Sequence, residues 1–100
     1  MRLSILEPRR VVFEGNAREV ILPAEDGEIC VLDFHQPFLY SLRSGNVRIR
    51  GGWAKSASTD EFGEEEQSPQ MAYSEDTIRI KYGIAKMARN DLILIVELYA

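Results

Sequence analysis

The feature that most constrains this chain is an alternation of apolar and polar residues at period two, broken at short and regular intervals by turn-forming residues. Successive side chains of a strand point to opposite faces, so this pattern predicts many short strands, the signature of an all-β sandwich or barrel. Asn46-Val47-Arg48-Ile49-Arg50 and Thr77-Ile78-Arg79-Ile80-Lys81-Tyr82 alternate apolar with basic, which places Val47, Ile49, Ile78 and Ile80 inward and the charges in water. Arg18–Leu22, Glu28–Leu32, Phe38–Leu42 and Leu92–Val96 are denser apolar runs and suit strands covered on both sides. The expected breaks are Glu14-Gly15-Asn16, Glu25-Asp26-Gly27, Arg43-Ser44-Gly45, Gly51-Gly52 and Ala88-Arg89-Asn90-Asp91, each with a residue that tolerates positive φ or bonds its own backbone.

Residues 84–100 contain neither Gly nor Pro and invite a helical reading. Their apolar face at helical spacing (Ile84, Met87, Ala88) fails at Asp91, Asn90-Asp91 is a turn dipeptide, and the β-branched Ile93, Ile95 and Val96 favour a strand. Strand, turn and strand are therefore expected here.

One hundred residues at 45% hydrophobic and 28% charged make one ordinary soluble domain, 1–100. No run approaches the length of a membrane span, and Met1–Leu6 meets Glu7 too early for a signal peptide, so a cytosolic chain without direct membrane insertion is expected. The net charge of −4 is unevenly spread. Asp60, Glu61, Glu64, Glu65, Glu66, Glu75 and Asp76 face only Lys55 between Trp53 and Thr77. Phe62, Met71 and Tyr73 are too sparse there to form a core face, and 53–77 reads as a long acidic loop, a flexible insertion between two strands. A basic hairpin, Arg48 and Arg50 facing Arg79 and Lys81, flanks it and is partly neutralised by it. Those cations are scattered along strands, not clustered as a phosphate backbone requires, which argues against a nucleic-acid partner.

Candidate chemistry is thin. His35 with Asp33 and the hydroxyl of Ser41 or Ser44 suggests a hydrolase, but no strained Gly-x-Ser-x-Gly turn accompanies them. Glu25, Asp26 and Glu28 are clustered carboxylates without the regular spacing of a calcium loop. One cysteine and one histidine cannot supply a structural zinc site, and Gly51-Gly52 lacks the Lys-Ser/Thr of a phosphate loop, so neither metal nor cofactor is expected. Cys30, between Ile29 and Val31, reads as a buried, inert thiol. The residues alone point to a small all-β interaction domain that is not an enzyme.

The order of the segments goes further. Leu3-Ser4-Ile5-Leu6-Glu7-Pro8, then Val12-Phe13-Glu14-Gly15, then the run from Val20 to Leu32 resemble the amino-terminal domain of the epsilon subunit of F-type ATP synthases. His35-Gln36-Pro37-Phe38-Leu39 stands where that family has a His-Ala-Pro-Leu-Leu-like stretch, Ser44–Ile49 where it has a Pro-Gly turn and strand, and Tyr82-Gly83-Ile84 where it has Gly-Gly-hydrophobic. Asp91–Glu97 matches its closing strand. The similarity covers residues 2–50 and about 77–97, in order.

The resemblance implies a β-sandwich of about ten strands at the foot of a rotating stalk, peripheral at the inner face of the cell membrane. It would touch the gamma subunit and the polar loops of the membrane c-ring, and transmit torque without catalysing bond chemistry. Glu25, Asp26, Gly27 and Glu28, with His35, Gln36 and Pro37, are the ring-facing loop tips it implies. The alternative from another class is a free-standing protein-binding sandwich unrelated to the rotor. Asp33-Phe34 replaces the family's usual Pro-Gly, so the turn there differs and Phe34 is expected to expose apolar surface. The carboxy-terminal helical hairpin of many members has no counterpart in the 100 residues, and its inhibitory and ATP-binding functions are not carried over.

Overall fold

The computed structural model describes residues 1–54 and 75–99. Every regular element among them is a strand: β1 (Arg2–Glu7), β2 (Arg10–Asn16), β3 (Glu19–Ala24), β4 (Gly27–Leu32), β5 (Phe38–Leu42), β6 (Gly45–Arg50), β7 (Trp53–Ala54), β8 (Glu75–Ala88) and β9 (Asp91–Leu98). Hydrogen bonds join them in the order β4-β3-β5-β8-β9-β1-β2-β7, with β6 bridging β3 and β8. All pairings are antiparallel except β1 with β9.

This sheet folds into a sandwich because β8 serves both layers. Its first part, Glu75–Ile80, pairs with β6, and its second part, Gly83–Met87, pairs with β5. Where the layers change, β9 advances one residue from Leu98 to Glu97 while β8 spans Ile80 to Tyr82, which leaves Lys81 as a bulge. An extra residue reverses the inward set. Ile78 and Ile80 point into the core before the bulge, Ala85 and Met87 after it. Gly83 sits just past this bend, where a Cβ would lie 2.6 Å from the Ile95 carbonyl oxygen and 2.9 Å from Val96 Cγ1. Only a residue without a side chain lets β8 approach β9 that closely.

Leu3, Ile5, Val20, Leu22, Val31, Val47, Ile49, Ile80, Met87, Leu92 and Leu94 fill the space between the layers and are fully buried. Full burial of such a side chain contributes about 1.5–3 kcal/mol, so this set is the main source of stability. The turn from β8 to β9 consists of Arg89 and Asn90, at φ 54° and 59°. Positive φ at both central residues is the two-residue hairpin turn whose twist matches that of its strands. Residues 84–98 therefore form strand, turn and strand.

Four expectations change. Strand β2 runs through Glu14-Gly15-Asn16, because Gly15 pairs with Leu3 and Asn16 with Arg2, and the chain breaks at Ala17-Arg18 instead. Of the dense runs, β3 is covered as expected, but β4 leaves Glu28, Cys30 and Leu32 exposed, β5 leaves Leu39 and Tyr40 exposed, and β9 leaves Ile95 exposed. Arg48 and Arg50 do not face Arg79 and Lys81: Arg48 lies opposite Thr77 and Arg50 opposite Glu75. Finally, both ends of the acidic segment are strand, Trp53–Ala54 on β2 and Glu75–Thr77 on β6. The loop reading of 55–74 concerns residues outside those described.

Candidate interface

The two loop tips lie at opposite ends of β4. Glu25 and Asp26 form the turn from β3, and Gly27, at φ 133°, opens the strand. Glu28 follows, exposed, opposite Pro23, with Oε1 3.9 Å from an Arg48 nitrogen. His35, Gln36 and Pro37 lie beyond the other end. A six-residue strand is about 20 Å long, so the tips do not converge on one point. They bracket one edge instead, since among the described residues β4 pairs with β3 alone.

The residues of the hydrolase guess are dispersed. His35 Nδ1 lies 2.9 Å from the Gln36 carbonyl, and its ring stands edge-on to Phe38 at 5.2 Å. The Asp33 carboxylate accepts from the Met1 ammonium, and the Ser44 hydroxyl is bonded to that of Tyr99. The Ser41 carbonyl accepts the Glu25 N–H at 3.1 Å, at the far end of β5 from His35. No general base is aimed at a nucleophile here. Among the described residues, no group of three or more His, Cys, Asp and Glu side chains could hold a metal ion.

Cys30 is a correction: it is exposed on β4, not buried. Alternation places it on the wet face, with Sγ 2.7 Å from Glu19 Oε2. The Glu19 carboxylate pushes this thiol above its ordinary pKa, with a smaller upward push from burial. A thiol kept protonated is a poor nucleophile, so exposure does not make it reactive. Glu19 also reaches Arg50 at 3.5 Å, and Arg50 reaches Glu75 at 3.7 Å, a charged row across β3, β6 and β8 on the outside of that layer.

The outside of the other layer has the opposite character, and the sequence reading missed it. Val11 pairs with Leu6, Leu6 with Ile95, and Ile95 with Ile84, so one apolar row crosses β2, β1, β9 and β8. Val11, Ile95 and Ile84 are each at least half exposed. The Tyr82 hydroxyl donates to the Glu97 carboxylate at the rim, which raises the Tyr82 pKa above its ordinary value. A contiguous apolar row on an outer sheet face makes this a candidate interaction surface. Its sequence signal was the pair Ile93 and Ile95 at outward positions of β9, where β6 carries Arg48 and Arg50.

Phe34 lies beside His35 and is 79% exposed. Its φ is 62°, a left-handed conformation, and its N–H donates to Asn90 Oδ1 at 2.7 Å.

One open polar-tipped edge and one apolar outer face define a small β-sandwich domain with two candidate contact surfaces. Residues 1–60 match the family described as ATP synthase, Delta/Epsilon chain, beta-sandwich domain. The chain belongs to that family. It is 47% identical over 62 residues to the chloroplastic ATP synthase epsilon chain of Chlamydomonas reinhardtii, a match covering 62% of this chain and 43% of that one. It is 39% identical over 66 residues to the ATP synthase epsilon chain of Synechococcus sp. (strain WH7803), covering 64% and 48%. The chain thus spans about half the length of the curated relatives it matches. Its fold is similar to a chain in the cryo-EM structure of the Tetrahymena thermophila mitochondrial ATP synthase central stalk and c-ring. That match has a TM-score of 0.65 at 14% identity and covers 97% of this chain and 63% of that one.

Proposed function

We propose that this chain is a non-catalytic subunit of the central stalk of a rotary ATP synthase, coupling the gamma subunit to the membrane c-ring during ion-driven ATP synthesis. Family membership gives the class. The observation that carries the role is the division of the surface, with an apolar row on the outside of one layer and a polar-tipped strand edge elsewhere. A torque-passing part needs two such sites. The apolar row, Val11, Leu6, Ile95 and Ile84, takes the gamma subunit, because apolar burial gives a lasting attachment. The β4 edge, with Glu25, Asp26, Gly27 and Glu28 at one end and His35, Gln36 and Pro37 at the other, meets the polar loops of the ring. Short turns on a stiff sheet pass force on without storing it. The subunit is peripheral, held at the inner face of the membrane by the complex, and the nucleotide chemistry belongs to other subunits.

Co-purification with the cognate gamma subunit tests the first contact, and stoichiometric binding is expected. For the second, synthase vesicles carrying Glu28→Ala or His35→Ala should hydrolyse ATP normally while pumping ions poorly. Fully coupled pumping in both variants removes these residues from the contact. Failure to bind gamma would make the chain a free-standing binding module.

A further inference from the structure

Phe34 is the most exposed large apolar side chain of the described residues, at 79%. Two hydrogen bonds fix its turn: its own N–H donates to Asn90 Oδ1 at 2.7 Å, and the His35 N–H donates to the Leu32 carbonyl at 3.1 Å. Its φ of 62° suits glycine and is a genuine outlier for a bulky side chain. The chain thus holds a strained backbone and a wet aromatic ring at one position, and neither feature serves the core. Strain kept at a well-fixed surface position is grounds for a functional hypothesis. Leu32, two residues earlier at the end of edge strand β4, is 54% exposed and adds a second wet apolar side chain there. His35 on the other side continues into the polar tip.

Resting on the function proposed above, we propose that Phe34 is the apolar anchor of the ring-facing edge, its ring entering an apolar recess between the polar loops of the c-ring. At 79% exposure the ring stands in water just beyond the end of β4. Polar groups beside it, His35 and Gln36, form the rim that shields a buried anchor from water. Attachment at this edge then combines a salt-sensitive polar contact with a salt-insensitive apolar one.

The test uses the full chain, its Phe34→Gly, Phe34→Ala, Glu28→Ala and His35→Ala variants, and the cognate rotor particle stripped of this subunit. Phe34→Gly should melt at or above the wild-type temperature, since glycine adopts this φ freely. Both Phe34 variants should bind the particle about thirtyfold more weakly, the effect of losing a dominant interface aromatic. That loss should persist in about 1 M salt, where charges are screened within about 3 Å, while the loss from Glu28→Ala shrinks. Wild-type binding by the Phe34 variants beside weakened Glu28 and His35 variants overturns the anchor and leaves the edge standing. Wild-type binding by all four overturns both readings. A fall of several degrees in the melting temperature of Phe34→Gly would show a ring packed into the fold. A dimer of the chain that Phe34→Gly dissolves would show that a second copy covers it. Either result overturns the proposal.

Discussion

The side chain of Asn90 accepts the backbone N–H of Phe34 at 2.7 Å, so the turn that joins β8 to β9 also fixes the turn that leaves β4. Both residues have positive φ, and the contact spans 56 positions of sequence. Asn90 has two separable duties, one in its own hairpin and one at the edge.

Replacing Asn90 should separate them. Asn90→Gly keeps the left-handed turn and loses only the hydrogen bond, at a cost of about 0.5–1.5 kcal/mol. Asn90→Ala adds the left-handed penalty of about 1–2 kcal/mol and should be the less stable of the two in urea denaturation. Equal losses would mean that the hairpin conformation contributes nothing.

Leu94 and Ile95 are neighbours on β9 that face opposite sides, one fully buried and the other 54% exposed. Leu94→Ala should lower stability by about 2–5 kcal/mol through the cavity it leaves. Ile95→Ala should move it by only about 0.5 kcal/mol while weakening retention on the cognate gamma subunit. A destabilising Ile95→Ala with unchanged retention would count against the proposed apolar docking face.

Gly83→Ala introduces a Cβ 2.6 Å from the Ile95 carbonyl oxygen, a backbone atom that cannot swing aside. The expected loss is about 1–3 kcal/mol, the usual cost of overpacking, measured by thermal unfolding. An unchanged melting temperature would show that β8 and β9 separate more easily than their pairing implies.

Cys30 should react slowly with iodoacetamide near neutral pH despite its exposure, because Glu19 raises its pKa. The folded chain holds this proton to higher pH than the unfolded chain does. The stabilisation is complete below the ordinary thiol pKa and is lost as pH rises through the raised value. Glu19→Gln should label faster than the parent at the same pH, and equal rates would remove Glu19 as the cause.

Much of the fold was legible because alternation is a local property that every strand carries in its own residues. Phe38–Leu42 is the strand expected, and the Ala88–Asp91 break became the Arg89-Asn90 turn that makes a helix over 84–100 impossible. The inward positions Val47, Ile49, Ile78 and Ile80 follow from the same rule. Turn residues were less reliable where pairing overrode them. Gly15 looks like a break and sits instead inside β2, opposite Leu3.

The candidate interface was legible only in part. Glu28 and His35 could be named, and Phe34 flagged, because each stands in a recognisable run. Their placement along one open edge depends on β4 having one neighbour among the described strands, which its residues do not encode. The exposure of Cys30 and Leu32 has the same cause.

The sequence by itself determined most of the strands and, within a strand free of bulges, which residues share a face, since these depend on neighbours a few positions away. Only the tertiary structure decided which faces are covered. The Lys81 bulge reverses the inward set of β8, and the row from Val11 to Ile84 forms from residues far apart in the chain. A period-two pattern gives each strand two faces, and which of them meets water depends on the strands and layers packed around it.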